Sequence, residues 1–393
     1  MQEAIVTDGL WRKSLSAVRS LGKAGFDVSV FGDSLFTTSY WSAFTTRRLR
    51  SVLAKDEAQQ FGEALLAYLK SRFTGERPVL LPMEDETLEW VSAHRDVLAQ
   101  YADFLLPSAQ ALAVAQSKAA TSALGARLAL PTPETLIPGT VDEFVERLRE
   151  LTTASKVTRY IAKPVSGSGS AGIVYLDAAK LPDWRAHWDK YGALIIQQRI
   201  DPSGQGLGVS LLFDSVGDCV ASFAHARLQQ YPNSGGPSTS RTSIVNDTLV
   251  ERSIRLMKAL DWRGVAMVEW KVDPVSNTPY LMEINPRFWG SLELAVRAGV
   301  DFPLLYARAA RREKFDPVHN YRAAVVCRWL LPGELLRYLS QDSLKRESLR
   351  QFLRGLPQLA EEWDPKDIRG FLSSVVCPAV TILNPNYWKY LNR

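Results

Sequence analysis

The sequence predicts an α/β lobe followed by an α+β lobe, and three observations carry that reading. A strand–helix–strand pattern opens the chain. Short β-rich runs fill residues 160 to 285, and acidic residues recur on the last two of them. At 393 residues the chain exceeds one ordinary core, so two or three packed lobes are expected.

The first strand is Ala4-Ile5-Val6-Thr7. Ser14 to Ala24 has apolar residues at helical spacing, Gly25 stands where a C-cap belongs, and Val28 to Phe31 reads as the next strand. This βαβ start predicts a parallel sheet covered by helices on both faces. The Asp8-Gly9 turn lacks G-x-G-x-x-G, which argues against a nicotinamide cofactor. A third strand, Pro78 to Pro82, leads into Glu84-Asp85-Glu86 and a helix through Trp90. Those acids lie at the carboxyl edge of the sheet, where α/β ligand sites form, or they serve only the helix macrodipole.

A helix from Ser117 to Leu128 carries Lys118 and is broken by Pro131-Thr132-Pro133. Strand-like runs then follow at Tyr160 to Lys163, Ile173 to Leu176, Leu194 to Gln197, Val209 to Phe213, Val265 to Val272 and Tyr280 to Asn285. A helix near Leu249 to Leu260 and a loop from Asn233 to Arg241 interrupt them, which makes the region α+β. Beyond about Phe315 the pattern is mixed and rich in tryptophan, and it indicates no role.

Composition narrows the function classes. With 46% hydrophobic and 23% charged residues the chain is an ordinary globular protein. Its net charge of +5 suits anionic small molecules such as nucleotides, and without a basic tract it excludes a nucleic-acid partner. Cys219, Cys327 and Cys377 are far apart and odd in number, so neither zinc nor a disulfide framework is expected. No signal peptide precedes the first strand. The late apolar stretch Phe371 to Leu383 contains Pro378 and is too short for a bilayer. A cytoplasmic protein with no membrane partner is the expectation.

Three segments carry chemistry. The first is Val265 to Val272, a turn-rich connection, and Tyr280 to Arg287, which together read as an antiparallel hairpin. If the hairpin is symmetric about Ser276, Glu269 faces Glu283, with Asn285 two residues on along the same face. Facing carboxylates repel, and a hard divalent cation reverses that sign; magnesium takes oxygen ligands of this kind alongside phosphate oxygens and water. A slip of one residue would instead send one or both carboxylates to solvent. The second segment places Lys163 at a strand end before Val165-Ser166-Gly167-Ser168-Gly169-Ser170-Ala171-Gly172. Its backbone N–H groups and hydroxyls can cradle phosphates, although it is no P-loop and also reads as a flexible hairpin loop. The third, Leu194 to Ile200, ends an apolar strand in Gln197 and Gln198, amides that can meet a purine edge or simply solvate a strand end.

In this order, these segments resemble the ATP-grasp superfamily, and in particular its carbamoyl-phosphate-synthase-like carboxylate–amine ligases. The resemblance covers roughly residues 1 to 310, and Glu-Ile-Asn-Pro-Arg at Glu283 to Arg287 is its most specific element. It implies α/β plus α+β architecture, an ATP-grasp fold with an N-terminal Rossmann-like domain. The implied division is residues 1–110 for that domain, 111–195 for the small lobe and 196–315 for the large lobe. Residues 316–393 remain as an extension of unknown role.

The resemblance also implies roles. Lys118 and Lys163 would hold ATP phosphates beneath the loop containing Ser166, Gly167, Ser168 and Gly169. Gln197 would meet the adenine amino group, with Gln198 and Ile200 beside it. Glu269, Glu283 and Asn285 would ligate Mg²⁺, or Mn²⁺ in its place. Arg287 would bind the carboxylate and its acyl phosphate. Arg227 and Arg241, on a segment like the loop that closes over the acceptor, are candidates to hold substrate carboxylates; surface arginines on a flexible loop are the other reading. The acidic residue the family often uses for ribose is not evident in Asp201 to Gly208. The implied activity is ATP- and Mg²⁺-dependent coupling of a small-molecule carboxylate to an amine, with a homodimer possible. A nucleotide-binding regulatory protein without turnover, and carbamate or other phosphoryl transfer, are the alternatives.

Overall fold

The structure, a computed structural model, describes residues 2–72, 75–154, 156–166, 172–176, 183–232, 236–341 and 347–383. Three sheets organise it. The first is parallel, with β1 (Glu3–Val6), β2 (Asp27–Gly32), β3 (Thr45–Arg50) and β4 (Val79–Leu81) in the order β3-β2-β1-β4. The helix Arg12–Lys23 crosses between β1 and β2 as the apolar spacing requires. Sequence pattern missed β3, whose Thr-Thr-Arg-Arg-Leu-Arg has no fully buried position because it forms the sheet edge.

The second sheet is antiparallel: β5 (Thr135–Leu136), β6 (Tyr160–Pro164), β7 (Val174–Tyr175) and β8 (Leu194–Gln198) in the order β5-β8-β6-β7. Phe144, Leu148 and Trp184 from two covering helices pack on Ala162 and Ile196 beneath it. The third sheet has six strands: β9 (Gly206–Phe213), β10 (Cys219–Gln230), β11 (Ser238–Ile244), β12 (Gly264–Val272), β13 (Pro279–Asn285) and β14 (Val326–Arg328). Their order is β13-β12-β9-β10-β11-β14, antiparallel throughout. Val6, Val18, Met267, Phe288, Tyr306 and Cys327 belong to one buried cluster, so the first and third sheets share a core.

Part of the predicted 233–241 loop is strand. Within its described portion, Ser238 to Arg241 lies in β11, where Ser-Thr-Ser-Arg-Thr-Ser is polar yet mostly buried between β10 and β14. That burial works because backbone ladders satisfy the main chain on both edges.

The segment beyond residue 316 does more than extend the sheet through β14. It is bound to the first helix of the chain. Arg19 Nε donates to Asp367 at 2.8 Å with both side chains buried, Arg12 meets Glu361 at 2.7 Å, and Lys23 pairs with Asp364. Asp367 also accepts from Ser42 Oγ at 2.8 Å and from the Ala43 amide at 2.7 Å. The last described helix, Ile368–Leu383, contains Pro378, and no helix among the described residues is long and apolar enough to cross a membrane.

Candidate functional site

The hairpin of β12 and β13 brings Glu269 opposite Glu283. The register is not that of a simple hairpin symmetric about Ser276. Near the turn Trp270 pairs with Leu281, and a shift between Glu269 and Trp270 leaves Met282 as the extra residue before the two glutamates meet. Asn285 completes the group, its Nδ2 lying 3.3 Å from Glu269 Oε1. Among the described residues no cluster of three or more His, Cys, Asp or Glu could hold a metal. The donor set is therefore two carboxylates and an amide, which suits a cation that takes its remaining ligands from phosphate and water.

The charges around this pair are mostly positive. Arg227 reaches Glu269 at 2.5 Å, and Lys118 lies 3.9 Å from Glu283. Burial raises the Glu269 carboxyl above its usual range; Arg227 opposes that shift and Glu283 adds to it. Lys163 at the end of β6 is 4% exposed, and burial lowers its amine to about 8, with Glu283 opposing and Lys118 adding to the drop. Lys118 starts a helix capped by Ser117, whose side chain accepts from the Ala120 amide, and the Lys118 amide donates to Val165 O at 2.8 Å. That hydrogen bond ties the first lysine to the segment following the second.

A cavity of about 730 Å³ collects these groups: Lys118, Lys163, Arg227, Glu269, Glu283, Asn285 and Arg287 all line it. Its opposite wall at this end includes Ile161, Tyr175, Gln198, Arg199 and Ile200. Gln197 does not line it. The Gln197 side chain lies behind the wall, where Nε2 donates to Thr135 Oγ1 at 2.9 Å, because adjacent strand residues face opposite ways. Ser166 is exposed at the start of the glycine-rich loop, while Gly167, Ser168 and Gly169 lie outside the described residues.

Two glycines on β9 shape the floor. Gly206 pairs across to β12 and Gly208 stands between Glu269 on β12 and His225 on β10. A Cβ at Gly208 would come within 2.3 Å of His225 Cε1, and one at Gly206 within 2.9 Å of Arg227 Cδ. Bare backbone here lets His225 and Arg227 fold across β9 toward the glutamates. His225 is neutral: burial, then Arg227 and Arg241, push its pKa down to about 3.

Arg287 lies where the acids after β4 arrive. Its Nε is 2.9 Å from Asp85 and 3.6 Å from Glu84, and Lys13 Nζ is 3.0 Å from Glu84. Burial opposes the Arg287 charge, but Asp85 and Glu84 outweigh it and hold the guanidinium protonated more firmly than usual. Both sequence readings of these acids are met: Glu84 lines the cavity, and it is also the N-cap residue of the helix Asp85–Ala93, whose first turn carries Asp85 and Glu86. Arg241 also lines the cavity, but from a strand and not from the predicted loop: it lies in β11, fully buried and ion-paired with Glu361 from the C-terminal segment. Sequence reasoning missed Trp11, Arg12, Trp329 and Glu361, which line the far end, and no local motif marks them.

Residues 115–291 match the family described as ATP-grasp domain. The chain carries an ATP-grasp domain. None of the curated proteins matches it. Solved structures share the fold well beyond that domain. Biotin carboxylase from Campylobacter jejuni, in a β,γ-ATP complex, is 15% identical with a TM-score of 0.64, covering 79% of this chain and 71% of that one. The biotin carboxylase domain of Hydrogenobacter thermophilus 2-oxoglutarate carboxylase, with MgADP, ADP and bicarbonate, is 12% identical with a TM-score of 0.65, covering 83% and 73%. N5-carboxyaminoimidazole synthetase from Staphylococcus aureus is 13% identical with a TM-score of 0.62, covering 84% and 82%. These likenesses establish the ATP-grasp fold. The roles of individual side chains rest on the geometry above.

Proposed function

We propose that the protein is a ligase that uses ATP and Mg²⁺ to activate a carboxylate as an acyl phosphate and couples it to an amine, releasing ADP and phosphate. The observation that carries this reading is the facing Glu269–Glu283 pair with Asn285, set in one cavity with Lys118 and Lys163. The proposed division of labour follows the lobes: residues 1–110, 111–195 and 196–315 frame the cleft, and Trp329, Leu331, Pro332, Gly333, Leu336, Glu361, Glu362, Ser374 and Pro378 from the C-terminal segment close its far end.

In the first step a carboxylate oxygen attacks the γ-phosphorus and the bond to the β,γ-bridging oxygen breaks, leaving ADP. In the second the amine nitrogen attacks the acyl carbon, the C–O bond to phosphate breaks, and the nitrogen loses a proton. Glu269, Glu283 and Asn285 would hold Mg²⁺, which when bound neutralises charge on the phosphate oxygens. Lys118 and Lys163 would hold those oxygens in place, beneath the loop that includes Ser166, Gly167, Ser168 and Gly169. Arg227 links the glutamates to the substrate end of the cavity, and Arg287 would orient the carboxylate and its phosphorylated form. Adenine would lie along Gln198, Arg199 and Ile200. Closure of the cleft over its contents would exclude water and protect an acyl phosphate from hydrolysis.

The test is a phosphate-release screen of carboxylates and amines in pairs, with ATP and Mg²⁺. Phosphate release that requires both partners, with an amide product, supports the ligase. ADP release on the carboxylate alone with a stable phosphorylated product favours phosphoryl transfer. Nucleotide binding with no substrate-dependent ADP would make the domain a regulatory nucleotide binder.

A further inference from the structure

The cavity continues past Arg227 into a region that the ligase chemistry does not use. Its walls there come from both ends of the chain: Trp11 near the start, and Trp329, Leu331, Pro332, Leu336 and Pro378 from the C-terminal segment. The charged side chains in this part neutralise one another. Arg12 is 2.7 Å from Glu361 and stacks 4.2 Å over the Trp329 ring, and Arg241 pairs with the same Glu361. Glu362 accepts from the backbone amides of Leu330 and Leu331 at 3.3 and 3.1 Å. A ligand entering here therefore meets indole, leucine and proline surface beside charges already paired with one another, and Arg227 beside Glu269 stands between this end and the lysines.

A second observation points the same way. The two helices that supply Leu336 and Pro378, Leu335–Leu339 and Ile368–Leu383, also carry Leu335, Leu339, Leu372 and Val376, which are exposed and lie outside the cavity lining. Exposed apolar residues on the helices that wall a largely apolar part of a cavity suit an apolar ligand.

We propose that the carboxylate substrate is amphipathic, with its carboxylate toward Arg287 and Arg227 and an extended alkyl or aryl-alkyl body along Trp11, Trp329, Leu331 and Leu336. This rests on the ligase reading and narrows its substrate class. The C-terminal segment is then the part of the protein that measures the length of the substrate.

The test is calorimetric titration of the full chain, with saturating Mg·ADP, against butanoate, hexanoate, octanoate, decanoate and 4-phenylbutanoate. Burying each methylene strengthens binding by about 0.8 kcal/mol, so affinity should rise about fourfold per added CH₂ along the series. Leu336→Trp, which fills the cavity near its mouth, should weaken octanoate and decanoate at least tenfold and leave butanoate and Mg·ADP as in wild type. Leu336→Asp, a second variant at this partly exposed position, should weaken the same two acids. A flat series, tighter binding of succinate than of octanoate, or variants that bind the long acids like wild type would overturn the proposal. If Mg·ADP does not bind, the ligase reading fails. The same series run without nucleotide still decides whether the cavity selects apolar acids.

Discussion

Neutralising Glu283 should move nucleotide binding in opposite directions with and without metal. Glu283 is 31% exposed and lies between a carboxylate, Glu269, and the ammonium groups of Lys118 and Lys163. Without a metal its charge repels the phosphates that those lysines attract. One charge about 5 Å from a phosphate oxygen, at an effective dielectric of about 20, amounts to about 3 kcal/mol; solvent at this partly exposed side chain reduces that to about 1 kcal/mol. In Glu283→Gln, metal-free ADP should therefore bind about fivefold tighter. With Mg²⁺ present the same change removes an anionic ligand from a hard cation, and Mg·ADP should bind at least tenfold more weakly, about 1.4 kcal/mol. Isothermal titration of ADP in EDTA and in MgCl₂ measures both. Unchanged Mg·ADP affinity, or two shifts of the same sign, would refute the metal assignment, whatever the variant does to turnover.

Three further expectations follow from the packing. Gly208→Ala places a methyl 2.3 Å from His225 Cε1, so it should cost about 1–3 kcal/mol in urea unfolding, and adding His225→Ala should recover most of that. Asp367→Ala removes the carboxylate that faces buried Arg19, and about 3–5 kcal/mol of stability should go with it; a loss below 1 kcal/mol would mean the ion pair does not hold the C-terminal segment in place. Burial lifts the Asp8 carboxyl from 3.8 to about 6, with Glu84 adding to the lift. Its folded pKa lies above its unfolded one, so the stability it contributes is present at low pH and is lost as pH rises from about 4 through 6. The stability advantage of Asp8→Asn over wild type should grow by up to about 3 kcal/mol across that window and level off above it, as followed by urea unfolding at stepped pH.

What could be read from sequence was local periodicity. Glu269, Glu283 and Asn285 were placed correctly relative to one another because strands alternate strictly, even though the turn is not centred on Ser276 and Met282 supplies the residue that restores the pairing. Lys118 and Lys163 were legible from the helix and strand ends that carry them. Gln197 was not, since choosing between two adjacent amides depends on which face of β8 meets the cavity. β3 and β11 escaped because one is an arginine-rich edge and the other a buried run of hydroxyl residues, and neither composition signals strand. The far end of the cavity was illegible for a different reason: Arg12, Trp329 and Glu361 meet only in the folded chain, and no short window contains more than one of them.

The bond between Arg19 and Asp367 joins positions 348 apart, and it has a temporal consequence. On the ribosome, the first helix is made long before its ionic partner exists, so a guanidinium destined for the interior must wait in water or with temporary company. The nucleotide cleft can take shape in the interim. The compartment behind it gains its last wall only when the segment around Asp367 emerges and locks onto that helix.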